Sequence, residues 1–215
     1  MNGLAEENSQ ASQPPRDYVV MKFGGTSVED AAAIRLLCGL VQRPSSRHPV
    51  VVVSALAKVT DQLMNAGWTA AAGDLEPARE ILQLLRQRHE AVARGLAKGN
   101  ERRRLCREFA TEFKAADKMV VTIASEMAFA PCSQDKLLGV GESLSSKLVQ
   151  SALQAAGVEL NAVSPVGVQR RDKETRRTGK PESVSAIGYD ARHLAAIIDD
   201  IIHRHAAGAL LRSAA

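Results

Sequence analysis

Lys22, Gly24, Gly25, Thr26 and Ser27 lie together in the stretch YVVMKFGGTSV, residues 18–28. An apolar run ends in a lysine, passes two glycines and continues with two hydroxyls. Without Cβ atoms, successive backbone N–H groups can converge on an anion. The N-terminus of a following helix adds partial positive charge there, and Lys22 adds a full one. The five residues can therefore form a phosphate cradle at the carboxyl edge of a parallel sheet, where α/β proteins bind ligands. They fit equally a tight strand-to-helix turn with Thr26 or Ser27 as N-cap. Two nucleotide-binding patterns are missing. GESLSSK, residues 141–147, has a lysine without the glycine before it, and GVGESL, residues 139–144, lacks the third glycine of the dinucleotide fingerprint. A nucleotide site here must be of another design.

The elements that would position these residues follow from periodicity. Residues 18–23 predict a short buried strand. Residues 28–43 have helical spacing, with Ile34, Leu37, Cys38 and Val41 on one face. RPSSRHP, residues 43–49, is a loop by its prolines and serines. VVVVSAL, residues 50–56, shows no polar alternation and predicts a central strand of a parallel sheet covered on both faces. Strand, helix and strand in this order make a right-handed βαβ unit.

Helices are then predicted over 60–72, 76–97, 101–130 and 141–157. In the second, Pro77 is tolerated in the first turn, and Ile81, Leu84, Leu85 and Val92 line one side. Pro131 is expected to stop the third, and Gly157 to cap the fourth. VELNAV, residues 158–163, is a further candidate strand. From residue 164 the chain turns polar and rich in breakers, so 164–215 is expected to be a divergent segment of loop plus a helix near 190–207. Residues 1–17, polar throughout, are expected to be a disordered tail.

Composition narrows the function classes. The chain has 215 residues, is 45% hydrophobic and only 3% aromatic, and carries a net charge of +4. Its core should be aliphatic. No basic stripe with interleaved aromatics is present, which argues against nucleic acid; Arg102, Arg103 and Arg104 are expected on a solvated helix face. No apolar run is long enough to span a bilayer, so no membrane partner is expected. Cys38, Cys106 and Cys132 are widely spaced. They form no zinc pattern, so no metal site is expected, and they suit reduced thiols of a cytoplasmic protein, each a small buried hydrophobe. His203 and His205, two apart on a helix, are poor joint ligands and are expected at the surface.

Three segments in register carry a family resemblance. KFGGTSV (22–28) resembles the opening signature of the aspartate kinases, within the amino acid kinase fold. VVVVSALAKVTDQL (50–63) resembles that family's second strand and the hydroxyl-containing loop after it. GESLSSKL (141–148) resembles its G-E-x-L-S helix start. The resemblance implies an α/β parallel-sheet sandwich with helices on both faces, covered from residue 18 to 163. It implies the transfer of a phosphoryl group from ATP, with Mg2+, to the side-chain carboxylate of L-aspartate, giving 4-phospho-L-aspartate in the first step towards lysine, threonine and methionine.

By matched position Lys22 faces the transferring phosphoryl group, and Gly24 and Gly25 supply backbone donors. The resemblance further implies that Thr26 and Ser27 help close that pocket, that Ser54 lines the reaction centre, that Thr60 contacts aspartate, and that Glu142 pairs with its α-ammonium. Each has a plainer role available: Ser54 as a strand end, Thr60 as an N-cap, Glu142 as a first-turn acid.

The resemblance stops there. The family's T-G-F-I-G and G-R-G-G-S-D segments and its regulatory domains have no counterpart in these residues. Its arginine for the substrate α-carboxylate is not identifiable either, although Arg170, Arg171, Arg176 and Arg177 have the chemistry. The expectation is a truncated catalytic domain, incomplete alone, that self-associates or is completed by another kinase chain. The alternatives are a non-catalytic relic or module bound to a full-length subunit, and, more distantly, another amino acid kinase acting on glutamate, carbamate or a nucleotide.

Overall fold

The structure, a computed structural model, describes residues 18–43, 48–158 and 160. The tail at 1–17, most of VELNAV, the segment 164–215 with its arginines, and His203 and His205 lie outside them.

The chain opens with β1 (Tyr18–Phe23), a 3-10 turn (Gly25–Val28), α1 (Ala31–Val41) and β2 (His48–Val53). β1 pairs with β2 in parallel, Lys22 opposite Val52 and Phe23 opposite Val53. This is the expected βαβ order. Strand side chains alternate between faces. Met21, Phe23, Val51 and Val53 pack on the core. Val20, Lys22, Val50 and Val52 therefore share the other face, where Val20 is 42% exposed. β2 begins at His48 and ends at Val53, so Ser54, Ala55 and Leu56 leave the sheet.

In α1, Asp30 caps the N-terminus by accepting from the Ala33 amide at 2.8 Å, and Ile34, Leu37, Cys38 and Val41 are buried, as their spacing predicts. Burial pushes the Cys38 thiol pKa up. Cys106 is half-buried and Cys132 exposed, because each lies off its helix's apolar stripe.

Four helices form the remaining body: α2 (Val59–Ala71), α3 (Leu75–Leu96), α4 (Gly99–Glu126) and α5 (Pro131–Ala155). α3 packs on α2 and α4, and α5 on α2 and α4. Pro131 does not stop a helix. α4 ends four residues earlier in a left-handed Met127, and Pro131 opens α5 at its first position, where a missing N–H costs nothing. α5 therefore begins ten residues before the predicted start and places Glu142 in its interior. Its end is as expected, with the chain turning through Gly157 at φ +80°.

Polar ties lock α5 against α4. The Ser151 hydroxyl donates to Glu101 at 2.6 Å. Glu112 accepts from Lys147 at 2.7 Å and from Ser143 at 2.8 Å. Arg104, first, and Ser151 hold the Glu101 carboxyl down at about 2. Arg104 also pairs with Glu108, so part of the ERRR cluster is engaged in intrahelical ion pairs.

The inner stripe of α3 is Ala78, Leu82, Leu85, His89, Val92 and Ala93. Leu84, expected on that side, is 62% exposed, because the stripe runs through an alanine and a histidine that hydropathy alone passes over. His89 is fully buried, edge-on to Phe109 and Phe113. Its Nδ1–H can donate to the Leu85 carbonyl at 2.7 Å, leaving Nε2 without a partner among the described residues.

Burial holds the His89 pKa at about 4 against an ordinary 6.5, with neighbouring Arg88 adding to the effect. The unfolded chain then takes up this proton first as the pH falls from 6.5 towards 4, and stability drops across that window. The expected loss is about 3 kcal/mol, read from urea unfolding at several pH values. His89→Leu should flatten the slope there; an unchanged slope would show that another group titrates.

Candidate functional site

The three segments singled out by their chemistry meet at the carboxyl end of the strands. Phe23 ends β1, and its carbonyl accepts from the Ser54 amide at 3.1 Å. The Ala57 amide donates to the Gly25 carbonyl at 3.1 Å. The glycine turn and the loop after β2 are thus stitched together by their backbones. A Cβ on Gly25 would lie 3.0 Å from the Ala55 carbonyl oxygen and 3.2 Å from the Ala57 Cα and amide nitrogen. Only glycine allows this approach without moving backbone.

α5 closes on the same loop from another side. The Ser145 hydroxyl donates to the Ser54 carbonyl at 2.7 Å, and to the Glu142 carbonyl at 3.0 Å. One turn earlier, a Cβ on Gly141 would lie 3.0 Å from the Ala55 Cβ and 3.0 Å from a Val59 methyl. Glycine in a helix interior costs about 1 kcal/mol relative to alanine, and a methyl here would overpack the contact by about 1–3 kcal/mol. The balance favours glycine because α5 touches the loop at this point.

Gly24 is exposed and extended, at φ −76° and ψ 174°. Gly25 and Thr26 begin the 3-10 turn, and their amides have no acceptor within it, as at any helix start. The Ser27 amide turns back to the Gly24 carbonyl at 3.0 Å. Neither Thr26 nor Ser27 is an N-cap: Gly24 stands at that position for the turn and Asp30 for α1. Both hydroxyl residues are exposed, as is Lys22.

Ser54 is half-buried between the strand end and Ser145. Thr60 is exposed in the first turn of α2, whose N-cap is Lys58 and not Thr60. Glu142 is half-buried, and burial raises its pKa. It is no first-turn acid, since α5 starts at Pro131. The structure thus brings the Gly25 turn, Ser54 and the Glu142 turn into one connected corner, with Lys22 and Thr60 on the elements that lead into and out of it.

Two residues of this corner were not singled out by sequence. Ser145 is fully buried. Its spacing from Gly141, Leu144 and Leu148 places it on the inner face, and that pattern could have revealed it. Arg88 of α3 donates to the Ala57 carbonyl at 2.6 Å. Nothing in RQRHE distinguishes it from a solvated arginine.

Among the described residues no group of three His, Cys, Asp or Glu could hold a metal ion. No helix among them is long and apolar enough to cross a membrane.

Comparison with known proteins places the chain in a family. The pattern of the amino acid kinase family matches residues 17–210, extending past the last of the three motifs. Aspartokinase of Chlamydia trachomatis serovar D is 34% identical over 139 residues, covering 62% of this chain and 27% of that protein. Bifunctional aspartokinase/homoserine dehydrogenase 1 of Zea mays is 26% identical over 165 residues, covering 73% of this chain and 18% of that protein. The crystal structure of E. coli aspartokinase III in complex with aspartate and ADP superposes with a TM-score of 0.57 at 28% identity, covering 66% of this chain and 30% of that one. The chain spans under a third of each of these relatives. With nearly the whole chain matched by one family pattern, and with the α/β architecture shared with a solved aspartokinase, this chain belongs to the amino acid kinase family.

Proposed function

We propose that this chain supplies the aspartate-gripping side of an aspartate kinase. The reaction is ATP-dependent phosphorylation of the L-aspartate side-chain carboxylate to 4-phospho-L-aspartate, in amino-acid biosynthesis. The observation that carries the reading is the convergence of the glycine turn, the Ser54 loop and the Glu142 turn of α5 through backbone and serine hydrogen bonds. The similar E. coli enzyme was crystallised with aspartate and ADP, which supports the same ligand class.

The chemistry suits these residue types. An aspartate carboxylate is ionised at neutral pH, with an ordinary pKa of about 3.9. It attacks the γ-phosphorus through an oxygen lone pair, the bond from phosphorus to the bridging oxygen breaks, and ADP leaves with that electron pair. No general base is needed. The difficulty is bringing two anions together, so catalysis consists of positioning and charge neutralisation. Lys22 neutralises the moving phosphoryl group, and the amides of Gly24 and Gly25 donate to it. Thr26 and Ser27 border that pocket. Ser54 lines the reaction centre and Thr60 contacts the amino acid. Glu142 pairs with the α-ammonium, selecting an amino acid over a plain diacid. Mg2+ enters with ATP as part of the substrate. The cytoplasm is the proposed compartment.

A second reading has one observation in its favour. Val20 is exposed on the sheet face it shares with Lys22, Val50 and Val52. Such a face suits a module that associates with a full-length kinase subunit without turning over itself.

Two measurements test the proposal. Burial raises the Glu142 pKa, so its charge costs stability above the ordinary carboxylate range, and the cost fades as the pH falls. Glu142→Gln should therefore raise the melting temperature at pH 7 by roughly 1–3 °C and abolish the stabilisation that aspartate gives by mass action. A lower melting temperature with an intact aspartate response would assign Glu142 a structural role.

The second is ATP-dependent hydroxamate formation from aspartate and hydroxylamine. Little is expected from this chain alone, and activity is expected when a complementing kinase chain is added. Lys22→Ala should reduce it by about 100-fold or more. Association without any gain in hydroxamate would favour the non-catalytic module.

A further inference from the structure

We propose that Arg88 is a positioning residue for the loop that carries the aspartate contacts. It acts from α3, a helix that supplies none of the candidate site residues. The proposal rests on the reading of Ser54 and Thr60 as substrate contacts.

The loop from Ser54 to Thr60 is held by bonds at Ser54, Leu56, Ala57 and Val59. The Ser54 amide is tied to Phe23, and the Ser54 carbonyl to Ser145. The Val59 amide donates to the Leu56 carbonyl at 3.0 Å. At Ala57 both backbone groups are engaged. Its amide reaches the Gly25 carbonyl at 3.1 Å, and its carbonyl accepts from Arg88 Nη1 at 2.6 Å. Arg88 is half-buried, and its bond is charge-assisted and so stronger than an amide-to-carbonyl pair.

The next residue explains the need for such a clamp. Lys58 is an exposed, non-glycine residue at φ +67°, in the left-handed region. That conformation costs an ordinary residue about 1 kcal/mol or more and persists only where neighbours over-determine it. Lys58 is the N-cap of α2, so its backbone directs the chain into Val59 and Thr60. If the Ala57 carbonyl were released, Lys58 could relax to negative φ and swing the first turn of α2. Arg88 thus fixes Thr60 through two peptide units, and couples α3 to the glycine turn through a single residue, Ala57.

Four full-length chains test this: wild type, Arg88→Ala, Arg88→Lys, and Arg88→Ala combined with Lys58→Gly. Aspartate affinity is read by calorimetry, and amide exchange of residues 57–62 by mass spectrometry. Arg88→Ala should weaken aspartate binding about tenfold and speed exchange in that segment, with α4 and α5 unaffected. Arg88→Lys, which keeps a donor and the charge, should recover part of both. Lys58→Gly should also recover affinity in the Arg88→Ala background, because glycine adopts positive φ without strain.

Unchanged affinity and exchange in Arg88→Ala would overturn the proposal. So would faster exchange throughout the chain with no recovery by either second substitution, since that pattern marks a general loss of stability. If wild type binds no aspartate, the kinase reading fails, and segment exchange alone decides the role of Arg88.

Discussion

Ala55 is the residue on which the geometry of this corner depends. Its carbonyl oxygen lies 3.0 Å from where a side chain on Gly25 would begin, and its methyl 3.0 Å from where one on Gly141 would begin. The loop after β2 is thus pressed between two glycines that are far apart in sequence. One belongs to the turn after β1 and the other to the interior of α5. Close packing of this kind leaves no room for a methylene without displacement. Three short motifs thus each supply one wall of a single tight contact. The hydrogen bonds of Ser54, Ala57 and Ser145 then fix the register within it.

The same frame separates two acids with opposite fates. Glu101 is satisfied by Arg104 and Ser151, which hold its pKa at about 2. It serves the seam between α4 and α5. Glu142 is raised by burial, and no side-chain partner among the described residues offsets the cost. A half-buried carboxylate whose pKa burial raises costs some stability when it is charged. Ser143 and Lys147, both bound to Glu112, tie this stretch of α5 to α4.

Much of this was legible in the sequence, and the failures have physical causes. The span of β1, the buried face of α1 and the span of α3 were legible and the observed elements match, although Val20 and Lys22 are exposed in a strand expected to be buried. The start of α5 was hidden because a proline reads as a stop, although it opens a helix equally well. The stretch PCSQDKLLGV, with its internal glycine, gives little amphipathic signal to correct that reading. Leu84 was misplaced because leucine outweighs alanine and histidine in any hydropathy count, whereas the packing stripe is set by phase. The segments that meet at this corner could be singled out in sequence because lysine, paired glycines and a helical acid have few common uses together. The links between them could not. Ser145 to Ser54 and Arg88 to Ala57 join residues 91 and 31 positions apart, and each ends on a backbone carbonyl that leaves no trace in sequence.

The strand alternation has a last consequence for Lys22. Period-two geometry puts Met21 and Phe23 into the core, and so forces Lys22 outwards. A shift of one residue in β1 would bury the ammonium, at a cost of several kcal/mol. In the observed register Lys22 stands opposite Val52, on the face that also holds Val20 and Val50. Its neighbours are apolar, yet its charge remains solvated. Nearby hydrocarbon screens a charge less than water does, so an anion seated beside Lys22 would feel it more strongly than an open surface lysine. A lysine placed last but one in a strand, flanked by residues that must face the core, is thus held at the sheet's carboxyl edge by the burial of its neighbours.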